Sequence, residues 1–297
     1  MSLNSVEYFE YPKCPQEWQL HKTLLKNANL IVGKNATGKS RFLRCINGLA
    51  RLLAGEQHGL FGTGHYKVEI EINNKIFKYV LDVENGIVEN ESLHIDGKSK
   101  FTRAIDGTGE IYAEELKDDL KFRVANNVLV AFSKVDSLQH PYLIELGEWA
   151  KNLRFFEFGS SLGQQQLLIH QDVGASVQFP PFMQNGNVFA NVFNLVHTVQ
   201  AGLKEFPTEF KKNLLKDLSD VGFACTDIGV EPFPGTQSLP PVLSVYVCEK
   251  GLDFRNHQTN LSQGFYRALA LLSGVNLISM RKMARTILVD DIGEGLD

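Results

Sequence analysis

The spacing of hydrophobic and polar residues changes several times along this chain. From Ser40 to Gly55, "SRFLRCINGLARLLAG", the apolar residues Phe42, Leu43, Ile46, Leu49 and Leu53 recur every three or four positions. That is the spacing of a helix with one buried stripe, and Gly55 suits its stop. Just ahead, "NANLIVG" (Asn27 to Gly33) is a compact apolar run that reads as a strand. From His65 to Arg103 the rhythm becomes alternation, broken at Asn73-Asn74, Asn85-Gly86 and Asp96-Gly97. Asn-Gly and Asp-Gly are strong hairpin signals, so this stretch reads as an antiparallel meander of about three to four strands.

Beyond residue 113 the pattern is largely helical as far as about residue 220. "HPYLIELGEWAKNLRFF" opens that region, after a strand-like "NVLVAF" (Asn127 to Phe132). "PTEFKKNLLKDLSDVGF" closes it, with Pro207 near a helix start and Gly222 near its stop. Gly229 to Pro241 reads as a proline-rich loop, Val242 to Gly251 as a strand, and Leu261 to Met280 as a helix with its lead-in. "TILVDD" (Thr286 to Asp291) reads as a buried strand ending in two acids. The layout is that of an α/β protein with one domain over 1–297. Within it, 1–60 form a core, 61–112 the meander, 113–240 a mostly helical insertion and 241–297 a closing helix and strand.

Composition narrows this little. The 297 residues are 43% hydrophobic and 22% charged, as in ordinary globular proteins, and the net charge of −4 gives no global attraction to nucleic acid or anionic lipid. No apolar run reaches the length of a membrane span, and the first residues lack the pattern of a signal peptide. Cys14, Cys45, Cys225 and Cys248 are scattered without a CxxC pair, which points to reduced thiols and a cytoplasmic setting.

The chemistry is concentrated near the two ends. "GKNATGKS" (Gly33, Lys34, Asn35, Ala36, Thr37, Gly38, Lys39, Ser40) fits G-x-x-x-x-G-K-[ST] between an expected strand and an expected helix. Glycines let successive backbone N–H groups face one concavity, and the helix N-terminus makes it electropositive. Lys39 would lie along the β- and γ-phosphates of ATP, and the Ser40 hydroxyl would hold Mg²⁺. Arg41 follows directly. Far downstream, "LSQGFYRAL" places Ser262, Gln263 and Gly264 at the mouth of an apolar helix, 28 residues before Asp290. Alone, Ser262 would be an N-cap worth about 1 kcal/mol. A strand delivering an acid such as Asp290 is, however, how P-loop ATPases supply the carboxylate that helps hold Mg²⁺.

In this order the motifs resemble those of ABC-type ATPases, in the branch with RecF-like, SMC-like and "overcoming lysogenisation defect"-like proteins. "GKNATGKS" resembles their Walker A, "LSQGF" their LSGGQ signature, and "DDIGEGLD" a Walker B continuing into the D-loop. "LSQGFYRAL" and "GEGLD" are similar to AAA-family ATPases of bacterial defence and genome-maintenance operons. The resemblance implies a P-loop NTPase head of ABC type, with the meander and the helical lobe as additions. It also implies a head-to-tail homodimer around two ATP molecules, in which Ser262 and Gly264 face the γ-phosphate held by the partner. Asp290 would stand on the Mg²⁺ side, and Asp291 where relatives carry a glutamate that positions or deprotonates the attacking water. The resemblance further leads one to expect a following helix and strand with a switch histidine, which makes the sequence read as a truncated piece.

Ser262 follows Lys39 by 223 residues, about twice the spacing of transporter subunits, and there is no heptad run for an SMC-type arm. Gln139 is the candidate for a Q-loop glutamine, with a surface loop residue as the plain alternative. Tyr8, Phe9 and Tyr11 are candidates to stack on adenine, while Trp18 and Trp149 read as packing residues. His140 and His170 read as structural or surface histidines. Lys211, Lys212 and Lys216 share a helix and would be the DNA contact if there is one, although Glu209 and Asp217 beside them suit a solvated face. The implied partner is an effector, a nuclease or other DNA-handling protein in phage defence or DNA repair, with no membrane. An energy-coupling transporter subunit and a non-hydrolysing ATP-dependent switch are the alternatives.

Overall fold

In the computed structural model the described residues are 1–34, 36–57, 59–157, 164, 168–169, 194–234, 241–282 and 286–290. They form a mixed α/β structure with a large antiparallel sheet and several helices. The chain divides into two compact units, Met1–Arg154 with Arg285–Leu288, and Phe155–Ala284 with Val289–Asp297.

The first unit is built on an eight-stranded sheet. Its strands are β1 (Ser2–Glu10), β2 (Trp18–Leu24), β3 (Thr63–Ile72), β4 (Lys75–Glu84), β5 (Ile87–Ile95), β6 (Lys98–Arg103), β7 (Thr108–Ala113) and β8 (Asp118–Arg123), in the order β2-β1-β3-β4-β5-β6-β7-β8. Three of its hairpins close where the sequence signals them. Asn73 and Asn74 (φ 51 and 62), Asn85 and Gly86 (φ 50 and 73), and Asp96 and Gly97 (φ 50 and 80) all turn left-handed. Two successive positive φ angles give the turn whose twist matches the flanking strands. Alternation then decides the face: Phe77, Tyr79, Leu81 and Val83 of β4 are all fully buried, each such burial contributing about 1.5–3 kcal/mol.

The meander is longer than expected, because β7 and β8 extend it to Arg123. The expectation of helix from residue 113 misses β8, "DDLKFR", whose residues are almost all exposed. Its only apolar residues are Leu120 and Phe122 among four charged ones, too short an alternation to mark this edge strand. The strand expected at Asn127 to Phe132 is also absent. The chain there makes a short helix, α2 (Val130–Ser133), after α1 (Lys39–Leu53).

The cause of α2 is the wholly buried Glu91 of β5. Its carboxylate accepts the backbone N–H groups of Val130 (2.7 Å) and Ala131 (2.9 Å) and the Tyr79 hydroxyl (3.0 Å). A carboxylate satisfying the first amides of a helix turns an apolar run away from strand geometry. Buried Arg103 closes the same corner, donating to the carbonyls of Val88 and Ala125, both at 3.1 Å. Helix α3 (Pro141–Asn152) packs on α1, and its Trp149 is buried and donates to Thr286 Oγ1 at 3.3 Å. Strand β9 (Arg154–Glu157) then carries the chain into the second unit.

The second unit has a sheet of β10 (Leu168–Ile169), β11 (Cys225–Pro232), β12 (Val242–Glu249) and β13 (Asn256–His257), in the order β10-β12-β11 with β13 also on β12. Three helices pack together beside it: α4 (Leu195–Glu205), α5 (Pro207–Asp220) and α6 (Gln263–Met280). β11 corrects the loop expected from Gly229: residues 229–232 are its second half. Gly229 fits there because a Cβ would stand 2.6 Å from the Tyr246 hydroxyl, and Pro232 is tolerated on an edge strand. The last element, β14 (Ile287–Asp290), pairs with β9.

The strand expected at Asn27 to Gly33 does not form. Among the described residues no strand pairs with it, and its apolar side chains are exposed, Leu30 by 80% and Val32 by 78%. Apolar composition alone does not make a strand; the ladder partner does.

Candidate functional site

The phosphate-binding pattern falls at the mouth of α1. Gly38 is its N-cap, left-handed at φ 91, and no side chain caps the helix. A Cβ on Gly38 would lie 2.9 Å from Trp18 Nε1, so the residue is fixed as glycine by both conformation and space. Ala36 is also left-handed, at φ 63. The Thr37 hydroxyl donates to the Lys34 carbonyl at 2.8 Å. The Lys39 ammonium folds back over the loop and donates to the carbonyls of Gly33 (3.0 Å) and Lys34 (2.9 Å). These bonds bring the carbonyls of Gly33 and Lys34 onto one cation at a helix start, where the backbone dipole favours an anion. Ser40 is the second residue of α1.

Arg41 points the other way. Its Nε donates to Glu10 Oε1 at 2.7 Å, its Nη2 to the Gln16 carbonyl at 3.2 Å, and its guanidinium lies 5.1 Å from the Trp18 ring centre. Glu10 also accepts the Tyr8 hydroxyl at 2.9 Å. Tyr8 is buried, which pushes its hydroxyl pKa up, and its ring packs 4.5 Å from that of Tyr66. Phe9 lies 5.8 Å from His65, and Tyr11 is exposed. The aromatic ring against the loop is therefore Trp18. Sequence reading missed this because the residue lies in β2 and meets Gly38 only once β1 and β2 have paired. Within α1, burial pushes the Cys45 thiol up to about 12, so it is a packing group and not a nucleophile.

In the second unit Ser262 is the N-cap of α6, and its Oγ accepts the N–H of Phe265 at 3.2 Å. Gly264 is buried in the first turn, which carries no acid. Behind the mouth is a pair of glutamines that sequence reading did not single out. Gln164 Nε2 donates to the carbonyls of Gln258 (3.0 Å) and Leu261 (2.7 Å), and Gln258 Nε2 donates back to the Gln164 carbonyl at 3.1 Å. No local pattern marks these residues, which are 94 positions apart. Asp290 ends β14 and is 5% exposed.

The remaining candidates are less concentrated. Gln139 sits in a turn where Asp136 Oδ1 accepts its N–H at 2.6 Å, and its own carbonyl accepts from Glu114 at 2.9 Å. His140 is buried, with Nδ1 3.2 Å from the Tyr112 carbonyl, the structural role expected of it. Lys211 is ion-paired with Asp227 and Lys216 with Asp220 (3.1 Å), as on a solvated face. Asn35, His170 and 291–297, including Asp291 and the expected D-loop, lie outside the described residues. Among the described residues no group of three His, Cys, Asp or Glu side chains gathers to hold a metal, and no helix is long and apolar enough to cross a membrane. Neither protein-family models nor curated proteins give a match to this chain.

Proposed function

We propose that this chain is a nucleotide-binding head of the ABC type, which binds ATP with Mg²⁺ and hydrolyses it as a head-to-tail homodimer. The observation that carries the reading is the mouth of α1. A left-handed glycine opens the helix without a side-chain cap, and Lys39 is curled over the loop in front of it. Residues 33–40 would hold the phosphates, with Lys39 neutralising charge that develops on the transferred group, and Ser40 and Asp290 would hold Mg²⁺. The metal would supply further neutralisation of that charge. Ser262 and Gly264 would present the mouth of α6 to the nucleotide on the second copy. Motif order supports this, since the loop, the serine-capped helix and the acid-ended strand follow one another as in that class.

The setting belonging to this reading is cytoplasmic. The cycle of dimer closure and opening gates an associated effector, a nuclease or other DNA-handling protein in phage defence or DNA repair. Turnover per subunit should fall as the protein is diluted through its dimerisation range. A rate per subunit that stays constant on dilution sinks the head-to-tail mechanism.

One sequence feature favours slow turnover, as in an ATP-dependent switch. Asp291 is one methylene shorter than the glutamate of relatives, and a misplacement of about 1 Å can cost on the order of 100-fold in rate. Asp291→Glu should raise phosphate release; an unchanged or lower rate removes this explanation.

A further inference from the structure

We propose that Gln164 is a positioning residue for the mouth of α6, acting through Gln258 and the Leu261 carbonyl. This rests on the reading above, in which that mouth meets a nucleotide held by a second copy of the chain. Gln258 is fully buried and begins the single turn of 3₁₀ helix, Gln258–Asn260, that leads into Leu261 and Ser262. Its Oε1 accepts the N–H of Val245 in β12 at 3.2 Å, and its Nε2 donates to the Gln164 carbonyl at 3.1 Å. Gln164 returns both of its amide protons, one to the carbonyl that starts the turn (3.0 Å) and one to the carbonyl just before Ser262 (2.7 Å).

The chemistry restricts what can occupy this position. Two donors on one nitrogen must span two carbonyls three residues apart, and a primary amide does so without bringing a charge. A carboxylate of the same shape would turn an acceptor toward both carbonyls, and a shorter amide would not reach both. The lead-in peptides are extended at Leu261 (ψ 152) and Ser262 (ψ 154), so the orientation of the Leu261 carbonyl sets where the Ser262 side chain and the first N–H groups of α6 point. The clasp thus fixes the aim of the mouth, whereas the helix itself is held by the packing of α4, α5 and α6.

The test uses the full chain with Gln164→Ala and the isosteric Gln164→Glu, and Lys39→Ala as control. Both Gln164 variants should bind ATP·Mg within twofold of wild type at concentrations below dimerisation, because the phosphate loop is untouched. Their ATP-driven dimerisation, read by sedimentation, should weaken by about tenfold or more, the effect of losing one to two hydrogen bonds. Turnover should fall in kcat with KM little changed, and amide exchange should rise across 258–265 while α4 and α5 keep wild-type rates. Wild-type dimerisation by either variant overturns the proposal. So does loss of protection throughout α4 and α5, or a failure to fold, which would make Gln164 a merely structural residue. If Lys39→Ala also binds ATP and dimerises as wild type, the proposed function falls, and the role of Gln164 with it. Wild-type behaviour confined to the Gln164 variants removes the clasp alone.

Discussion

Helices α1 and α6 both begin without an acidic residue in the first turn, yet their mouths are finished differently. At α1 a left-handed glycine takes the N-cap and so brings no capping side chain of its own. At α6 Ser262 spends its Oγ on the N–H of Phe265, and a pair of glutamines holds the lead-in from behind. Helix α5, by contrast, carries Glu209 in its first turn, the ordinary way to satisfy a helix dipole from within. A glycine N-cap gives up only about a few tenths of a kcal/mol relative to serine and places no side chain of its own where an anion would approach. A self-capped mouth is stable alone and serves an anion only if it is aimed correctly. Under the proposed function, the difference makes the first a site whose geometry is set within its own loop, and the second a surface whose value depends on orientation.

The largest expected effect breaks the first side of this comparison. Lys39→Ala should lower ATP turnover by about 100-fold or more, the usual cost of losing a group that neutralises developing charge. Phosphate release with wild-type kinetics would mean that the mouth of α1 is only a turn. Next, Gly38→Ala imposes about 1–2 kcal/mol of left-handed strain and drives a Cβ against Trp18. ATP affinity measured by calorimetry should fall roughly tenfold, and equal affinity would show that the loop can relax.

Smaller, but more discriminating, is the pair at Ser262. Ser262→Ala should cost about 1 kcal/mol of stability, visible as a lowered melting temperature. Ser262→Asp keeps the cap and the melting temperature, yet places a negative charge where a phosphate would sit. ATP-driven dimerisation should therefore be lost in the aspartate variant, and its survival would show that this mouth does not face the nucleotide.

The smallest effect concerns pH. Burial pushes the Glu91 carboxyl above its ordinary 4.5, against the opposing pull of the Ala131 and Val130 N–H groups, the Tyr79 hydroxyl and the Arg103 guanidinium. With the folded value above the unfolded one, the stability Glu91 adds through its proton is full below the unfolded value. It is lost as the pH rises through the folded value. Relative to Glu91→Gln, the wild type should lose unfolding free energy across that window, upward from about pH 4.5. Parallel denaturation curves for the two proteins would assign the pH dependence elsewhere.

Much of the fold could be read from residue order, where one local rule dominated. The left-handed pairs Asn73-Asn74, Asn85-Gly86 and Asp96-Gly97 closed hairpins as their chemistry requires, and the stripe Phe42, Leu43, Ile46 and Leu49 became the buried side of α1. Reading failed where a distant partner decides. "NVLVAF" contains a helical turn because Glu91, on a strand distant in sequence, accepts from its amides, and "LIV" before the loop has, among the described residues, no neighbour that would make it a strand. The site divides in the same way. The loop from Gly33 to Ser40 and the Ser262 cap were visible as short motifs, whereas Trp18 against Gly38 and the clasp of Gln164 on Gln258 are made by tertiary pairing alone.

The foot of α1 gives its mouth a mechanical character. The helix is 15 residues long, a rod of about 22 Å. Just past its end Gly55 is left-handed at φ 72 and pressed by the Phe132 ring, leaving no room there even for a methyl group. Phe132 belongs to α2, whose amides are fastened to Glu91 in the sheet. The rod thus stands on a wedge bolted to the sheet. The end of α1 is thereby tied, through Phe132 and α2, to the same sheet that carries Glu91.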